Sequence, residues 1–545
     1  MHKVGSFVFF CACSYFSPAL LLLFSSLPPN FPRISLFISS LISLTFYFLS
    51  AKRILLKKMS KKATFLLPLN LSLAPFLLVL LYHLLSCVAV HGVQEKKILT
   101  LHNNIWSPMK SNEAPSSCFS HNLGKGRESS TTLEMKHREI CSGKTIDWGK
   151  KLRRALTLDN LRVQSLQLKI KAMSSSTTES ISEAQTPLTS GMKLQTLNYI
   201  VTVDLGGRNM TLIVDTGSDL TWVQCQPCKS CYNQQGPLYD PSVSSSYKTV
   251  FCNSSTCQDL VEATGNSGLC GGNNGVDKTT CDYVVSYGDG SYTRGDLGSE
   301  SIQLGDTNVE SFVFGCGRSN KGLFGGASGL MGLGRSSVSL VSQTMKSFNG
   351  VFSYCLPSLE DGASGSLSFG DDYKNSTSVS YTPLVQNPQL SSFYVLNLTG
   401  ASIGGVELES SSFGRGILID SGTVITRLPP SIYKAVKREF LKQFSGFPSA
   451  PSYSILDTCF NLTSYEDVSI PTIKMIFQGN AELEVDVTGV FYFVKPDASL
   501  VCLALASLSY ENDVGIIGNY QQKNQRVIYD TKQEKLGIAG ENCSF

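Results

Sequence analysis

Leu212-Ile213-Val214-Asp215-Thr216-Gly217-Ser218 places an aspartate at the end of an apolar run and a glycine two residues later. The pattern returns as Ile417-Leu418-Ile419-Asp420-Ser421-Gly422-Thr423. Each copy leads into a second strand-like run, Leu220-Thr221-Trp222-Val223 and Val424-Ile425-Thr426. The copies lie 205 residues apart, about one domain of chain. A strand that delivers an aspartate into a tight glycine turn, made twice, points to two similar lobes meeting at a shared pair of carboxylates. Two carboxylates in contact cannot both ionise easily, so they share a proton and act together as acid and base.

Histidine placement narrows the chemistry. The six histidines are His2, His83, His91, His102, His121 and His137, so the region carrying both Asp motifs has no imidazole. Ser-His-Asp and Cys-His nucleophilic catalysis are excluded. A catalytic zinc site is disfavoured, because such sites usually include histidine. No metal and no cofactor is expected.

The whole-chain charge of +4 hides an asymmetry. From residue 191 onward there are 23 basic and 33 acidic residues, net −10, while residues 1–190 carry 23 basic and 9 acidic, net +14. The basic part is the leader, and the acidic body is not expected to bind nucleic acid.

Residues 59–91 read as a secretory signal: Met59, then Lys61 and Lys62, then an apolar stretch over 65–90, with small residues near Ser86-Cys87-Val88-Ala89. A transmembrane anchor is the competing reading, since 73–85 is long enough to extend one. Residues 1–58 are rich in Phe, Ser, Leu and Pro and have no acidic residue. They read as translated leader RNA ahead of a true start at Met59, with an extra membrane or organelle-targeting segment as the rival.

Residues 92–190 carry 15 basic and 9 acidic residues. Within them Leu152, Leu156, Val163, Leu166 and Ile170 are spaced like one face of a helix. The Ser/Thr-rich stretch 174–182 reads as a linker. The segment is either a plain spacer or an inhibitory prosegment, a basic cover over an acidic body.

Twelve cysteines follow residue 191: Cys225, Cys228, Cys231, Cys252, Cys257, Cys270, Cys281, Cys316, Cys355, Cys459, Cys502 and Cys543. An even number behind a signal sequence reads as a disulfide set whose connectivity spacing does not give. The run Cys225-x-x-Cys228-x-x-Cys231 is read as disulfide-bonded rather than metal-binding, with no histidine available. Glycosylation sequons at Asn209, Asn253, Asn375, Asn397 and Asn461, with a weaker one at Asn542, add to the secretory reading.

After residue 195 strand signals dominate. The β-rich 197–205, the pair Gly206-Gly207 and 210–214 read as a hairpin, and 431–444 is the clearest helix. Apolar-Gly elements, Gly329-Leu330-Met331-Gly332-Leu333-Gly334 and Val514-Gly515-Ile516-Ile517-Gly518, follow the two Asp motifs at similar intervals. The order repeats, which supports duplication. A mostly β chain with a few short helices is expected.

These motifs, with Trp222 and Tyr287-Gly288-Asp289-Gly290-Ser291, resemble those of the pepsin-like aspartic proteases, and more closely the cysteine-rich plant subgroup related to nepenthesin. The resemblance covers about residues 191–545. It implies a bilobal fold with pseudo-two-fold related lobes, 191–385 and 386–545. Asp215 and Asp420 would be the catalytic dyad holding the attacking water. Thr216 and Ser421 would join the two motif loops from behind, and Ser218 and Thr423 would hydrogen-bond the outer carboxylate oxygens. Gly217 and Gly422 would allow the turn and the close backbone approach. Tyr287, with Gly288 and Asp289, would sit on a flap that closes over substrate, supported by Trp222. Gly332 and Gly518 would lie beside the motif loops. The expected protein is a monomeric acid endopeptidase, made as a zymogen with its own prosegment as inhibitor, acting on proteins or peptides. It would be free of the membrane after signal removal, and would be found in the apoplast or vacuole rather than the plastid.

The rival function is a non-catalytic inhibitor or binder on the same fold, since plant xylanase inhibitors resemble this family but have damaged Asp motifs. A nucleic-acid-binding protease is a third reading, opposed by the −10 body. Arg294-Gly295-Asp296 reads as a turn on the flap's return rather than an adhesion site. The Gly-rich 325–334 lacks a following Gly-Lys-Ser/Thr and is not a phosphate loop. The carboxyl end has no apolar tail for a lipid anchor.

Overall fold

The computed structural model describes residues 94–101, 122–125, 130–137, 148–174, 199–264, 270, 280–287, 290–322, 324–358, 364–370 and 378–543. All lie within the compact unit Gly92–Phe545. The expected signal and leader, most of the 174–182 linker, Gly288, Asp289 and Asn375 fall outside the described residues.

Ahead of the first motif come β1 (Lys96–Thr100), β2 (Thr131–His137) and a long helix, α1 (Trp148–Ser174). The first lobe contains β3 (Tyr199–Leu205), β4 (Arg208–Asp215), β5 (Trp222–Gln224), β6 (Asp282–Ser286), β7 (Tyr292–Leu304), β8 (Thr307–Lys321) and β9 (Gly329–Gly332). Strands β10 (Val351–Cys355) and β11 (Gly365–Phe369) follow. The second lobe contains β12 (Val395–Ile403), β13 (Arg415–Ile419), β14 (Thr426–Leu428), α2 (Pro430–Gln443), β15 (Asp467–Pro471), β16 (Leu505–Ser507) and β17 (Gly515–Ile517). The chain closes with β18 (Gln525–Asp530) and β19 (Lys535–Gly540).

The β3–β4 hairpin turns on Gly206 and Gly207, both at positive φ (57° and 78°), where a side chain would be strained. β4 then runs parallel to β9, so that Asp215 stands beside Gly332. β9 pairs antiparallel with β5, and β5 runs parallel to β8. The second lobe repeats the pattern. β13 runs parallel to β17, β17 is antiparallel to β14, and β14 is parallel to β16. Even the outer neighbours correspond, with β12 antiparallel to β13 as β3 is to β4. The two apolar-Gly elements are therefore equivalent strands in two related lobes, and the fold is mostly β and bilobal.

A sheet of order β19-β18-β10-β11-β2-β3-β4 links the chain end to the first lobe. β2 lies between β11 and β3, and β1 pairs with β15. Segments ahead of residue 190 are thus integral to the sheets.

Helix α1, with 27 residues, is longer than the few short helices expected after residue 195 and contains the whole helical face read at 152–170. Its predicted face, Leu152, Leu156, Val163, Leu166 and Ile170, is buried throughout. Leu152 and Leu156 pack with Val424, Ile425, Tyr453 and Leu456, while Val163, Leu166 and Ile170 pack with Phe393, Leu418 and Ile516. That face explains the length, because packing of an amphipathic face rather than propensity stabilises most helices. Helix α2 begins at Pro430, where the missing N–H costs no intrahelical bond.

All twelve expected cysteines are paired: Cys225–Cys316, Cys228–Cys231, Cys252–Cys270, Cys257–Cys281, Cys355–Cys543 and Cys459–Cys502. Asn209, Asn253 and Asn461 are exposed, whereas Asn397 is half-buried on β12. Arg294-Gly295-Asp296 is not a turn: it lies within β7, paired with both β6 and β8, and Asp296 bonds Arg318 at 2.9 Å. Among the described residues no helix is long and apolar enough to cross a membrane.

Candidate active site

The two parallel strand pairs deliver Asp215 and Asp420 to the junction of the lobes, 1 % and 2 % exposed. Each carboxylate is held by its own turn. Gly217 N–H donates to Asp215 Oδ1 at 3.0 Å and Gly422 N–H donates to Asp420 Oδ1 at 2.9 Å. Ser218 Oγ donates to Asp215 Oδ2 at 2.9 Å, and Thr423 Oγ1 to Asp420 Oδ2 at 2.6 Å. The glycines are required by proximity. A Cβ on Gly422 would lie 2.2 Å from Asp215 Oδ1, and one on Gly217 would lie 2.7 Å from Asp420 Oδ1.

Behind the carboxylates the loops exchange bonds. Thr216 N–H donates to Ser421 Oγ at 3.1 Å, and Ser421 N–H donates to Thr216 Oγ1 at 2.9 Å. Gly332 and Gly518 lie against the chain that follows each motif, where a Cβ would sit 2.1 Å from Asp219 O and 2.3 Å from Val424 O respectively. Tyr287 closes the β6–β7 hairpin, and its hydroxyl accepts from Trp222 Nε1 at 2.8 Å. Phe324 packs edge-on to both rings. Sequence reading did not single out Phe324.

Sequence reading also missed Arg162. From α1 its guanidinium reaches both carboxylates: Nη2 stands 2.8 Å from Asp215 Oδ1 and 3.0 Å from Asp420 Oδ2. Nη1 adds a 3.3 Å bond to Asp215 and Nε a 3.2 Å bond to Asp420. Burial raises the Asp215 pKa above the usual carboxylate range, with Asp420's charge adding to it and Arg162 opposing. Burial pushes Asp420 the same way, but there Arg162, Thr423 and the Gly422 N–H outweigh it and hold Asp420 below that range. The two carboxylates are thus driven apart in proton affinity, as a pair dividing acid and base roles requires. Burial disfavours the Arg162 cation, but both aspartates more than compensate and keep it charged.

Three further contacts anchor α1 on the second lobe. Asp159 pairs with the buried Arg427 at 2.8 Å. Gln167 exchanges two bonds with the Val514 backbone at 2.7 and 2.9 Å. Lys171 pairs with Asp513 at 2.8 Å. One signal could have exposed Asp159: it continues the apolar stripe between Leu156 and Val163, where a charge must be partnered.

The sulfurs with metal-like proximity among the described residues, Cys252, Cys257 and Cys270, are all in disulfides. What remains is acid–base chemistry by two unequal aspartates beside a tyrosine-bearing hairpin.

Two family models match the chain, described as xylanase inhibitor N-terminal over residues 199–371 and xylanase inhibitor C-terminal over residues 393–540. An aspartyl protease family protein of Arabidopsis thaliana is 43 % identical over 399 residues, covering 71 % of this chain and 82 % of that protein. The aspartic proteinase nepenthesin-1 of Nepenthes gracilis is 33 % identical over 427 residues, covering 76 % of this chain and 91 % of that protein. Among solved structures, basic 7S globulin from soybean has a TM-score of 0.51 at 21 % identity, covering 64 % of this chain and 95 % of that one. That last likeness concerns the fold alone.

Proposed function

The chain belongs to the pepsin-like aspartic protease family, and from that premise we propose that it is a secreted aspartic endopeptidase, made as a zymogen and active at acidic pH. The observation that carries the catalytic reading is the paired set of supports around Asp215 and Asp420, complete on both sides. The dyad with one shared proton takes a proton from water and gives one to the carbonyl oxygen of the scissile amide, so no covalent intermediate is needed. Tyr287 closes over the bound peptide and excludes water.

The zymogen reading rests on Arg162, whose guanidinium fills the space between the two carboxylates where that water belongs. Secretion is supported by six disulfides, which persist in oxidising compartments. We extend the reading to protein or peptide substrates, no nucleic-acid partner for the −10 body, and a monomeric enzyme in the apoplast or vacuole.

The competing reading is a non-catalytic binder, favoured by the inhibitor description of the matched models. The full chain, expressed, acidified and incubated with a peptide library, separates the two. Cleavage by the wild type and none by Asp215→Asn or Asp420→Asn supports the peptidase. Absence of products from the wild type, or cleavage surviving in either purified variant, sinks it.

A further inference from the structure

The Asp159 carboxylate occupies a pocket of three converging donors. Val424 N–H reaches Oδ1 at 2.6 Å, Ile425 N–H reaches Oδ2 at 3.2 Å, and Arg427 Nη2 reaches Oδ2 at 2.8 Å. Arg427 is 1 % exposed, and its Nη1 donates to Ile425 O at 2.7 Å, which aims the guanidinium at the pocket. Among the described residues Asp159 is the one carboxylate ion-paired with Arg427. The pocket begins immediately after Thr423, the residue that holds Asp420.

Position makes this more than an anchor. Asp159 and Arg162 lie one turn apart on α1, about 4.5 Å along its axis. An extended peptide advances about 3.3 Å per residue. Thr423 holds Asp420 and Val424 N–H, the next residue, is the first donor of the pocket, so a peptide held at the dyad, where Arg162 now sits, passes the Arg427 pocket close to the scissile bond.

Resting on the peptidase reading above, we propose that once α1 leaves, this pocket takes an aspartate or glutamate side chain of the substrate next to the scissile bond. Arg427 is then a specificity-determining residue, and α1 mimics substrate twice, with Asp159 in the pocket and Arg162 on the dyad. Departure of the helix strips two backbone N–H groups and a guanidinium of their acceptor together. A carboxylate offers two acceptor oxygens and a charge to that set. The isosteric amide offers one oxygen and no charge, and a lysine would be repelled.

The test uses the acidified full chain and peptides identical except for Glu, Gln or Ala at each of the two positions on either side of the cut. The wild type should favour Glu over Gln by at least about tenfold in kcat/KM at one position, as expected of a charge-assisted contact. Arg427→Gln should bring that ratio to about one, and Arg427→Lys should keep part of it. A purely structural role for Arg427 lowers all peptides together and leaves the ratio intact, which overturns the proposal. So does a wild-type ratio near one at every position. If the wild type cuts nothing, the peptidase reading fails separately. The pocket is then decided by titrating labelled Glu and Gln peptides against the wild-type and Arg427→Gln chains by fluorescence anisotropy. Glu selectivity that Arg427→Gln abolishes upholds it, and equal dissociation constants in the wild type overturn it.

Discussion

Arg162 meets Asp420 along one edge of its guanidinium, with Nε at 3.2 Å and Nη2 at 3.0 Å from Oδ2. The same Nη2 lies 2.8 Å from Asp215, so one cation is shared by both carboxylates and opposes protonation of each. The helix-bound form therefore binds fewer protons than the open form, and falling pH favours opening. The depressed Asp420 sets the lower limit. Its contribution to the closed form is complete above its unbound pKa and is lost as pH falls through the depressed value. Asp215, raised, protonates earlier and weakens the contact first.

Replacing Arg162 with Ala removes the groups that make closure depend on these protons. The processing midpoint of Arg162→Ala should move to higher pH, with Arg162→Lys between it and the wild type. The fraction of full-length chain left after timed incubation across pH, read on a gel, gives the midpoint. An unchanged midpoint in Arg162→Ala would remove Arg162 from the inhibition.

The processed enzyme should show an acid optimum and lose activity toward neutrality. Catalysis needs the dyad to hold one proton, a state bounded by two apparent pKa values that belong to the pair. In pepsin both of the dyad's apparent values lie in the acidic range, and the same order of magnitude is expected of this pair. Above the upper value both aspartates ionise and the general acid is gone. A pH–rate profile on a neutral peptide checks this, and a maximum at pH 7 or above contradicts it.

The two Asp motifs and the two apolar-Gly elements were legible because each is a run of consecutive residues that becomes one strand and one turn. Strand periodicity and glycine chemistry are local, so they survive without knowledge of neighbours. The hydrophobic face of α1 was legible for the same reason, through the spacing of Leu152, Leu156, Val163, Leu166 and Ile170. The partners were not. Nothing near Arg162 in sequence says that it meets carboxylates 53 and 258 residues away. The disulfide pairing was equally hidden: Cys355 finds Cys543 across 188 residues, while Cys228 takes Cys231 three residues on. Arg294-Gly295-Asp296 misled because its place on the flap's return suggested a turn, yet it lies inside the return strand and its glycine admits close approach. A Cβ on Gly295 would lie 1.9 Å from Cys316 O on the paired strand.

The crossed bonds between Thr216 and Ser421 make a specific stability claim. In Thr216→Val the hydroxyl is lost and the Ser421 N–H is left buried without its acceptor. An unsatisfied buried donor costs about 1–3 kcal/mol. The variant should unfold at correspondingly lower denaturant, and kcat should fall because the carboxylates are no longer held in register. Thr216→Ser, which keeps the hydroxyl, should lose little of either. Chemical denaturation and steady-state rates on the three proteins decide it. Equal stability in Thr216→Val and the wild type would show that the crossed bonds carry no weight.

Asp159 and Arg427 are each 1 % exposed at the side chain, so breaking the pair leaves a charge with nowhere to go while α1 stays docked. Removing one partner of a buried pair typically costs about 3–5 kcal/mol, much of it from the charge left behind. Asp159→Ala should therefore loosen α1 at neutral pH, where Arg162 still holds the ionised dyad. Backbone amides of α1 should exchange faster with solvent, and the processing midpoint should rise. The double variant Asp159→Ala with Arg427→Met removes both charges, and protection of α1 should partly return, because neither buried charge remains unpaired. Hydrogen exchange read by mass spectrometry over 148–174 supplies the measurement. If the double variant is as labile as Asp159→Ala alone, the stranded Arg427 charge is not the cause, and the docking of α1 rests on its apolar face, on Arg162 and on the Gln167 and Lys171 contacts.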